Sequence, residues 1–297
     1  MKPSRELLRI EGNEPVFYMD QEVTYARADA WFGHVSRDLR MNVIYPQTGA
    51  RTYPCIVWIC GGGWAQMDRG AHMTYLADLA RRGFVVASVD YRLGHESPFP
   101  GALIDIKAAI RYLRAHAGRY SINPDKFGVM GESAGGYLTA MIAVASRGGA
   151  AQVKQKSQNV DQNSLDYDFE KGEYLDFSSE VQAACPWYMP CDIAGLVGSE
   201  PWRLPFFAGD MTNSPAYRRY INPVSYITPE APPFLILHGT ADTLVPIAQG
   251  EMMYEALLAQ NVDARLVALE GEAHAGPQFF QRPLWEIITE FFKEKLD

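Results

Sequence analysis

Ser133 lies in the run Gly131-Glu132-Ser133-Ala134-Gly135-Gly136, a G-x-S-x-G match. A serine in that pattern serves as a nucleophile when a strand turns sharply into a helix and leaves Oγ exposed at the corner. Small residues two before and two after it let neighbouring backbone approach. The flanks predict both elements. Apolar Phe127 to Met130 precedes the motif, and Leu138, Met141, Ile142 and Ala145 recur at helical spacing after it. A serine hydroxyl is weak until a base takes its proton, so the six histidines are the candidates. His34 precedes the main strands, and His72 and His95 fall in loops and are expected at the surface. His116 falls near a helix end, where a solvated imidazole offsets the dipole. His238 closes the apolar run Phe234 to Leu237, where a local hydrogen bond is the expectation. His274 follows the last predicted strand, in Glu270-Gly271-Glu272-Ala273-His274-Ala275-Gly276. Asp242 follows the strand before it. Chemistry in a parallel sheet gathers at the carboxyl ends of strands, and Ser133, Asp242, His274 is the chain order of a triad built on such an elbow. The plainer alternatives are a turn or helix-cap aspartate and a loop histidine.

Attack on a carbonyl carbon puts negative charge on its oxygen, and backbone N–H groups aimed there stabilise it. The amide of Ala134 is one expected donor. The loop Cys60-Gly61-Gly62-Gly63-Trp64 supplies others, since three glycines let amides face a substrate unblocked. A phosphate-cradling loop is the competing use, but no G-x-x-x-x-G-K-[ST] pattern is present.

These groups need a scaffold. Apolar runs at Cys55 to Cys60, Phe84 to Val89, Phe127 to Met130, Val181 to Cys185, Phe234 to His238 and Arg265 to Leu269 read as strands, most of them buried on both faces. Between and after them, Leu103, Ile106, Ile110 and Leu113, then Leu138 to Ala145, then Leu284, Ile287, Ile288 and Phe291 repeat at three and four residues. This alternation predicts an α/β fold, a mostly parallel central sheet with helices on both faces. One domain over 1–297 is expected, with insertions near 148–179 and 193–226. Within the first, 152–168 holds little to bury. The second is rich in aromatics, and Trp64, Trp187, Trp202 and Phe206 are candidate walls of a substrate pocket.

Composition narrows the function. Twenty-seven Lys+Arg against 35 Asp+Glu give a net charge of −8, so nucleic acid is not an expected partner. No apolar run approaches the ~20 residues of a membrane helix, and the first residues lack a signal-peptide pattern, so a cytoplasmic location is expected. Cys55, Cys60, Cys185 and Cys191 lie in or beside apolar runs without a CxxC pair, which predicts buried thiols rather than a metal site or bridges.

The stretch from Cys55 to Ala145 resembles the α/β-hydrolase esterases of the hormone-sensitive-lipase-like group, and within it the bacterial feruloyl and acetyl-xylan esterase-like (BD-FAE-type) branch. The resemblance rests on Gly61-Gly62-Gly63-Trp64, Asp90-Tyr91-Arg92-Leu93, Pro98-Phe99-Pro100 and the Ser133 motif. It extends through Pro232 to Asp242 and Glu270 to Gly276. It implies a serine esterase with Ser133, Asp242 and His274 as the triad, and with Gly62, Gly63 and Ala134 as oxyanion donors. Asp90 and Arg92 would brace the loop after their strand, and Glu132 would be an elbow neighbour. No cofactor or metal is implied. Short-acyl or aryl esters, including acetyl or feruloyl esters of plant carbohydrate, are the implied substrates, as small molecules or acylated oligosaccharides. An arylformamidase-like amidase and a non-catalytic ligand receptor on the same fold are the alternatives. The group's glycine loop usually opens with histidine, and Cys60 stands there instead; a thiol hydrogen-bonds more weakly, so a less firmly set loop is expected, and a reactive thiol is the sharper alternative.

Overall fold

The computed structural model describes residues 5–12, 15–47, 51–145, 149–150, 153, 165–197, 206–207 and 214–297. Its strands are β1 (Val16–Ala30), β2 (Val35–Gln47), β3 (Tyr53–Ile59), β4 (Val85–Val89), β5 (Ile122–Glu132), β6 (Ala183–Trp187), β7 (Phe234–Gly239) and β8 (Ala264–Leu269). They form one eight-stranded sheet in the order β1-β2-β4-β3-β5-β6-β7-β8. The six from β4 to β8 are parallel; β2 runs antiparallel to both β4 and β1. The six expected strands are all present.

The pleat sorts their side chains as a doubly covered sheet requires. Cys55, Val57 and Ile59 of β3 join Val85, Ala87 and Val89 of β4 on one face. There they meet α2 (Gly101–Ala115), through Leu103, Ile106 and Ile110, and α4 (Ala134–Val144), through Leu138 and Met141; the short α3 (Ala117–Tyr120) follows α2. Ile56, Trp58 and Val86 point the other way, against Leu76 and Leu79 of α1 (Met73–Arg81) and against the C-terminal helix over Arg282–Leu296, through Ile288 and Phe292. All four cysteines are free and buried. Among the described residues no helix is long and apolar enough to cross a membrane.

One feature was not anticipated: the first strands, β1 and β2, form a long hairpin at the sheet edge. The described end of the first insertion, from 165, docks on α2: Phe169 is buried, and Glu170 accepts from Lys107 Nζ at 2.7 Å and Arg111 Nη1 at 2.8 Å. Both cations are 1% exposed. In the second insertion Phe206, Phe207, Tyr217 and Tyr220 are buried with the core, and α6 (Pro215–Ile221) follows the short α5 (Ile193–Val197).

Burial pushes the Glu170 carboxyl up, but Lys107, Ser179 and Arg111 outweigh that and hold it below the usual carboxylate range. A carboxyl lowered by folding contributes stability that is full above its unfolded pKa and lost as pH falls through the folded value. Glu170→Gln leaves two buried cations uncompensated and is expected to cost about 3 kcal/mol at neutral pH. Urea unfolding reads this, and the gap to wild type should shrink as acid protonates Glu170.

Candidate active site

The nucleophile position is built by the turn from β5 into α4. Ser133 has φ 52° and ψ −119°, a conformation that L-residues adopt only when their surroundings impose it. Its N–H donates to the Trp187 carbonyl at 3.0 Å, and its carbonyl accepts from Tyr137 N at 2.9 Å. A Cβ on Gly135 would lie 2.1 Å from the Ile59 carbonyl oxygen; the second glycine of the motif therefore exists for the contact between α4 and β3.

His274 lies after β8 and Asp242 after β7. His274 Nε2 is 2.9 Å from Ser133 Oγ, and His274 Nδ1 is 2.6 Å from Asp242 Oδ2. The carboxylate accepts, so Nδ1 carries the proton and Nε2 faces the hydroxyl with its lone pair. Asp242 also keeps the turn role considered for it: Oδ1 accepts from Leu244 N at 2.9 Å and Val245 N at 2.8 Å. Those two bonds fix the carboxylate, whose side chain is fully buried. His238 behaves as expected. Its Nε2–H donates to the Val245 carbonyl at 2.8 Å, and burial holds the imidazole pKa below its ordinary value.

Gly62 and Gly63 line the cleft beside Ser133, with φ +115° and +62°. A Cβ on Gly62 would meet the Gln66 carbonyl oxygen at 2.1 Å. Ala134 opens α4, where first-turn N–H groups have no acceptor within the helix. Gly62→Ala is expected to push the loop out of place through the Gln66 contact and to lower the kcat of any turnover at Ser133 by about 100- to 1000-fold, the scale on which a misplaced anion-stabilising N–H acts. Gly118→Ala, where a Cβ meets nothing within 4 Å, is the control that should leave the rate alone.

Cys60 does not loosen the loop in the way anticipated. Its thiol donates to the Asp68 carbonyl at 3.0 Å and accepts from Trp58 Nε1 at 3.1 Å, while Tyr91 Oη donates to the Cys60 carbonyl at 2.8 Å. Burial pushes the thiol up to about 12, which removes it as a nucleophile. Asp90 receives two bonds from Arg69 Nη1, at 2.8 and 2.9 Å, and Arg92 pairs with Asp105 at 2.7 Å.

Glu132 does more than neighbour the elbow. It accepts from His72 Nε2 at 3.2 Å, from Tyr188 Oη, and from the Gly61 N–H. Burial raises its pKa, but these bonds outweigh burial and leave it below the carboxylate norm. Tyr188 in turn packs edge-on against His274, ring centroids 4.7 Å apart. The glycine loop, the elbow and the histidine are thus tied through one carboxylate. His72 is accordingly a correction: its side chain is 24% exposed and stacked on Phe280, with centroids 4.7 Å apart, rather than at the surface.

The expected pocket walls are also corrected. The cleft at Ser133 has a volume of about 520 Å³ and is lined by Gly62, Gly63, Ala65, Gln66, Glu132, Ser133, Leu244, His274 and Ala275. Trp64, Trp187 and Phe206 are not among these. Trp64 stacks on Phe206 at 4.9 Å inside the core, and Trp187 packs against Trp58 at 5.3 Å on the opposite face of the sheet. Large rings gain more from burial than from a solvent-facing wall. Trp187 still serves the site through its carbonyl, which holds the Ser133 N–H. Trp202 lies outside the described residues.

A doubly covered parallel sheet with a strained serine at the β5–α4 turn defines an α/β-hydrolase. The chain matches the BD-FAE family model over residues 41–257 and belongs to that family. It is 29% identical over 213 residues to the probable carboxylic ester hydrolase LipM of Mycobacterium tuberculosis, a match covering 69% of this chain and 45% of that protein. The chain spans about half the length of the curated relatives it matches first. Among solved structures it superposes on a truncated carbohydrate esterase from gut microbiota with TM-score 0.79 and 27% identity, covering 96% of this chain and 98% of that one. It also superposes on the thermophilic esterase Est2 of Thermogutta terrifontis with TM-score 0.70 and 25% identity, covering 92% of this chain and 91% of that one.

Proposed function

We propose that the chain is a serine carboxylic ester hydrolase, a single domain over 1–297, acting on short-acyl or aryl esters and in particular on acetyl or feruloyl esters of plant carbohydrate. One observation carries the reading: Ser133 Oγ, His274 and Asp242 are connected in that order at 2.9 and 2.6 Å.

Ser133 Oγ attacks the ester carbonyl carbon while His274 Nε2 takes the hydroxyl proton, and the carbonyl π pair moves onto oxygen. The N–H groups of Ala134, Gly62 and Gly63 receive that oxyanion. Its collapse breaks the bond to the alcohol oxygen, which leaves with the proton from His274, and acyl-Ser133 remains. Water then gives a proton to His274 and attacks the acyl carbon; collapse returns the proton to Ser133 and frees the acid. Asp242 holds Nδ1–H throughout and stabilises the imidazolium.

Among the described residues that line the cleft, Leu244 is the one larger apolar side chain, so a long acyl chain finds little apolar surface to bury against there, which supports the short-acyl preference. The likeness to the probable carboxylic ester hydrolase LipM and to the gut carbohydrate esterase supports the ester class and its carbohydrate branch. Hydrolysis of p-nitrophenyl esters from acetyl upward tests the reading, with a fluorophosphonate adduct mapped by mass spectrometry. Expected are a rate highest at acetate, an adduct on Ser133, and little turnover of the matched anilide. Labelling elsewhere, or no turnover of any ester, would overturn it.

A further inference from the structure

The β1–β2 hairpin carries at its tip an aromatic ring, that of Phe32, which burial does not explain. β1 climbs toward the same end of the sheet as Ser133, and Ala30 pairs with Val35 well beyond the Met41–Val89 pair that ends β4. At its tip Trp31 and Phe32 have φ +54° and +58° and are 50% and 92% exposed. Consecutive left-handed residues in a hairpin turn are ordinarily Asn, Asp or Gly. Trp31 recovers half of its burial, but Phe32 meets the backbone cost with its ring almost wholly in solvent, which points to an occupant that covers it.

The surroundings state what chemistry that occupant has. A cleft of about 460 Å³ lies against the tip, lined by Phe32, Asp29, His95, Glu96 and Ser97 among others. Ligand pockets are of this size. Trp31 packs edge-on against His95 with centroids 5.4 Å apart, and its backbone N–H donates to the Glu96 carbonyl at 2.9 Å. Glu96 is held by Arg37 and by the Leu93 N–H, whereas the exposed Asp29 carboxylate makes no hydrogen bond among the described residues. A flat exposed ring beside a carboxylate acceptor and a hydroxyl suits a neutral sugar, whose C–H face stacks while its hydroxyls donate. It suits an anion poorly. A second copy fits less well, because it would bring like carboxylates together.

The cleft is tied to the catalytic loop. Gly94 N–H donates at 2.8 Å to the carbonyl of Trp64, the residue after Gly63. We propose that this hairpin-tip cleft is a sugar-binding subsite that holds the carbohydrate part of an acylated oligosaccharide on the Ser133 end of the sheet. Its link to turnover rests on the ester-hydrolase reading; its binding does not.

Isothermal titration of the full chain with xylohexaose, which carries no ester, reads the subsite alone. Saturable binding is expected, weakened about tenfold or more by Phe32→Ala and by Asp29→Asn. Both variants should turn over p-nitrophenyl acetate like wild type while losing a similar factor on acetylated xylo-oligosaccharide through KM. Binding weakened in this way in a protein that hydrolyses no ester would uphold the subsite and sink the ester-hydrolase reading. No heat at millimolar xylohexaose, or equal binding by Phe32→Ala, overturns the subsite. So does a dimer by light scattering that Phe32→Ala dissolves while sugar binding is absent.

Discussion

Ser133→Ala is expected to lower kcat on p-nitrophenyl acetate by about a millionfold, the scale on which removing a triad nucleophile acts. The fold should be untouched, because alanine keeps the Cβ that already tolerates φ 52° at the elbow and the N–H that donates to the Trp187 carbonyl. The loss should be nearly complete because no second hydroxyl or thiol lines the cleft among the described residues. The Cys60 thiol is protonated, with a pKa pushed up to about 12 by burial, and is engaged by Asp68 and Trp58. What survives, about 1000-fold over water, would come from the oxyanion donors and binding. Initial rates at high enzyme concentration, with far-UV circular dichroism as the fold control, measure it. A variant retaining a tenth of the wild-type rate would remove Ser133 from the proposed reaction.

The elements that place Ser133, Asp242 and His274 were legible because each lies just after an apolar run, and such a run in a doubly covered sheet has one reading. Cys55 to Cys60 shows why: its odd and even residues go to opposite cores, so every position must be apolar. The β1–β2 hairpin was not legible, for the opposite reason. Its distal part carries the exposed Arg27, Asp29 and Asp38, and β1 buries only Tyr25, Ala26 and Ala30; the apolar, buried run of β2, from Leu39 to Ile44, is interrupted by Arg40 and Asn42. Edge strands have one side to cover, and the charged residues that keep them from pairing with other chains also blur the alternation.

The Glu132 network was hidden by a different cause. His72, Glu132 and Tyr188 are far apart in sequence and meet only because α1, β5 and the segment after β6 converge at the sheet's carboxyl end. One signal did exist: Glu132 sits between a glycine and the candidate nucleophile, where a carboxylate cannot avoid the site. The aromatic pocket failed as an expectation because ring content reports burial before it reports function. Phe206 and Trp64 stack on each other, and the apolar lining of the cleft among the described residues is left to glycines, alanines and Leu244.

Asp242→Asn is expected to lower kcat at neutral pH by about 10,000-fold while leaving the shape of the site intact. The geometry says how the loss arises. Asp242 Oδ1 accepts from two backbone N–H groups, those of Leu244 and Val245, and Oδ2 accepts from His274 Nδ1–H. Asparagine has one oxygen, and the two N–H donors will hold it, which turns its NH2 toward His274. Nδ1 must then accept, so the proton moves to Nε2, and the imidazole presents a donor to Ser133 Oγ where the reaction needs a base. Because serine and base act as a unit, Ser133→Ala with Asp242→Asn should be no slower than Ser133→Ala alone. If Asp242→Asn keeps more than a tenth of the rate, tautomer control must lie elsewhere. The other imidazole beside it, that of His238, stands 3.6 Å from Asp242 Oδ2, too far for a hydrogen bond, and its Nε2–H is already committed to the Val245 carbonyl.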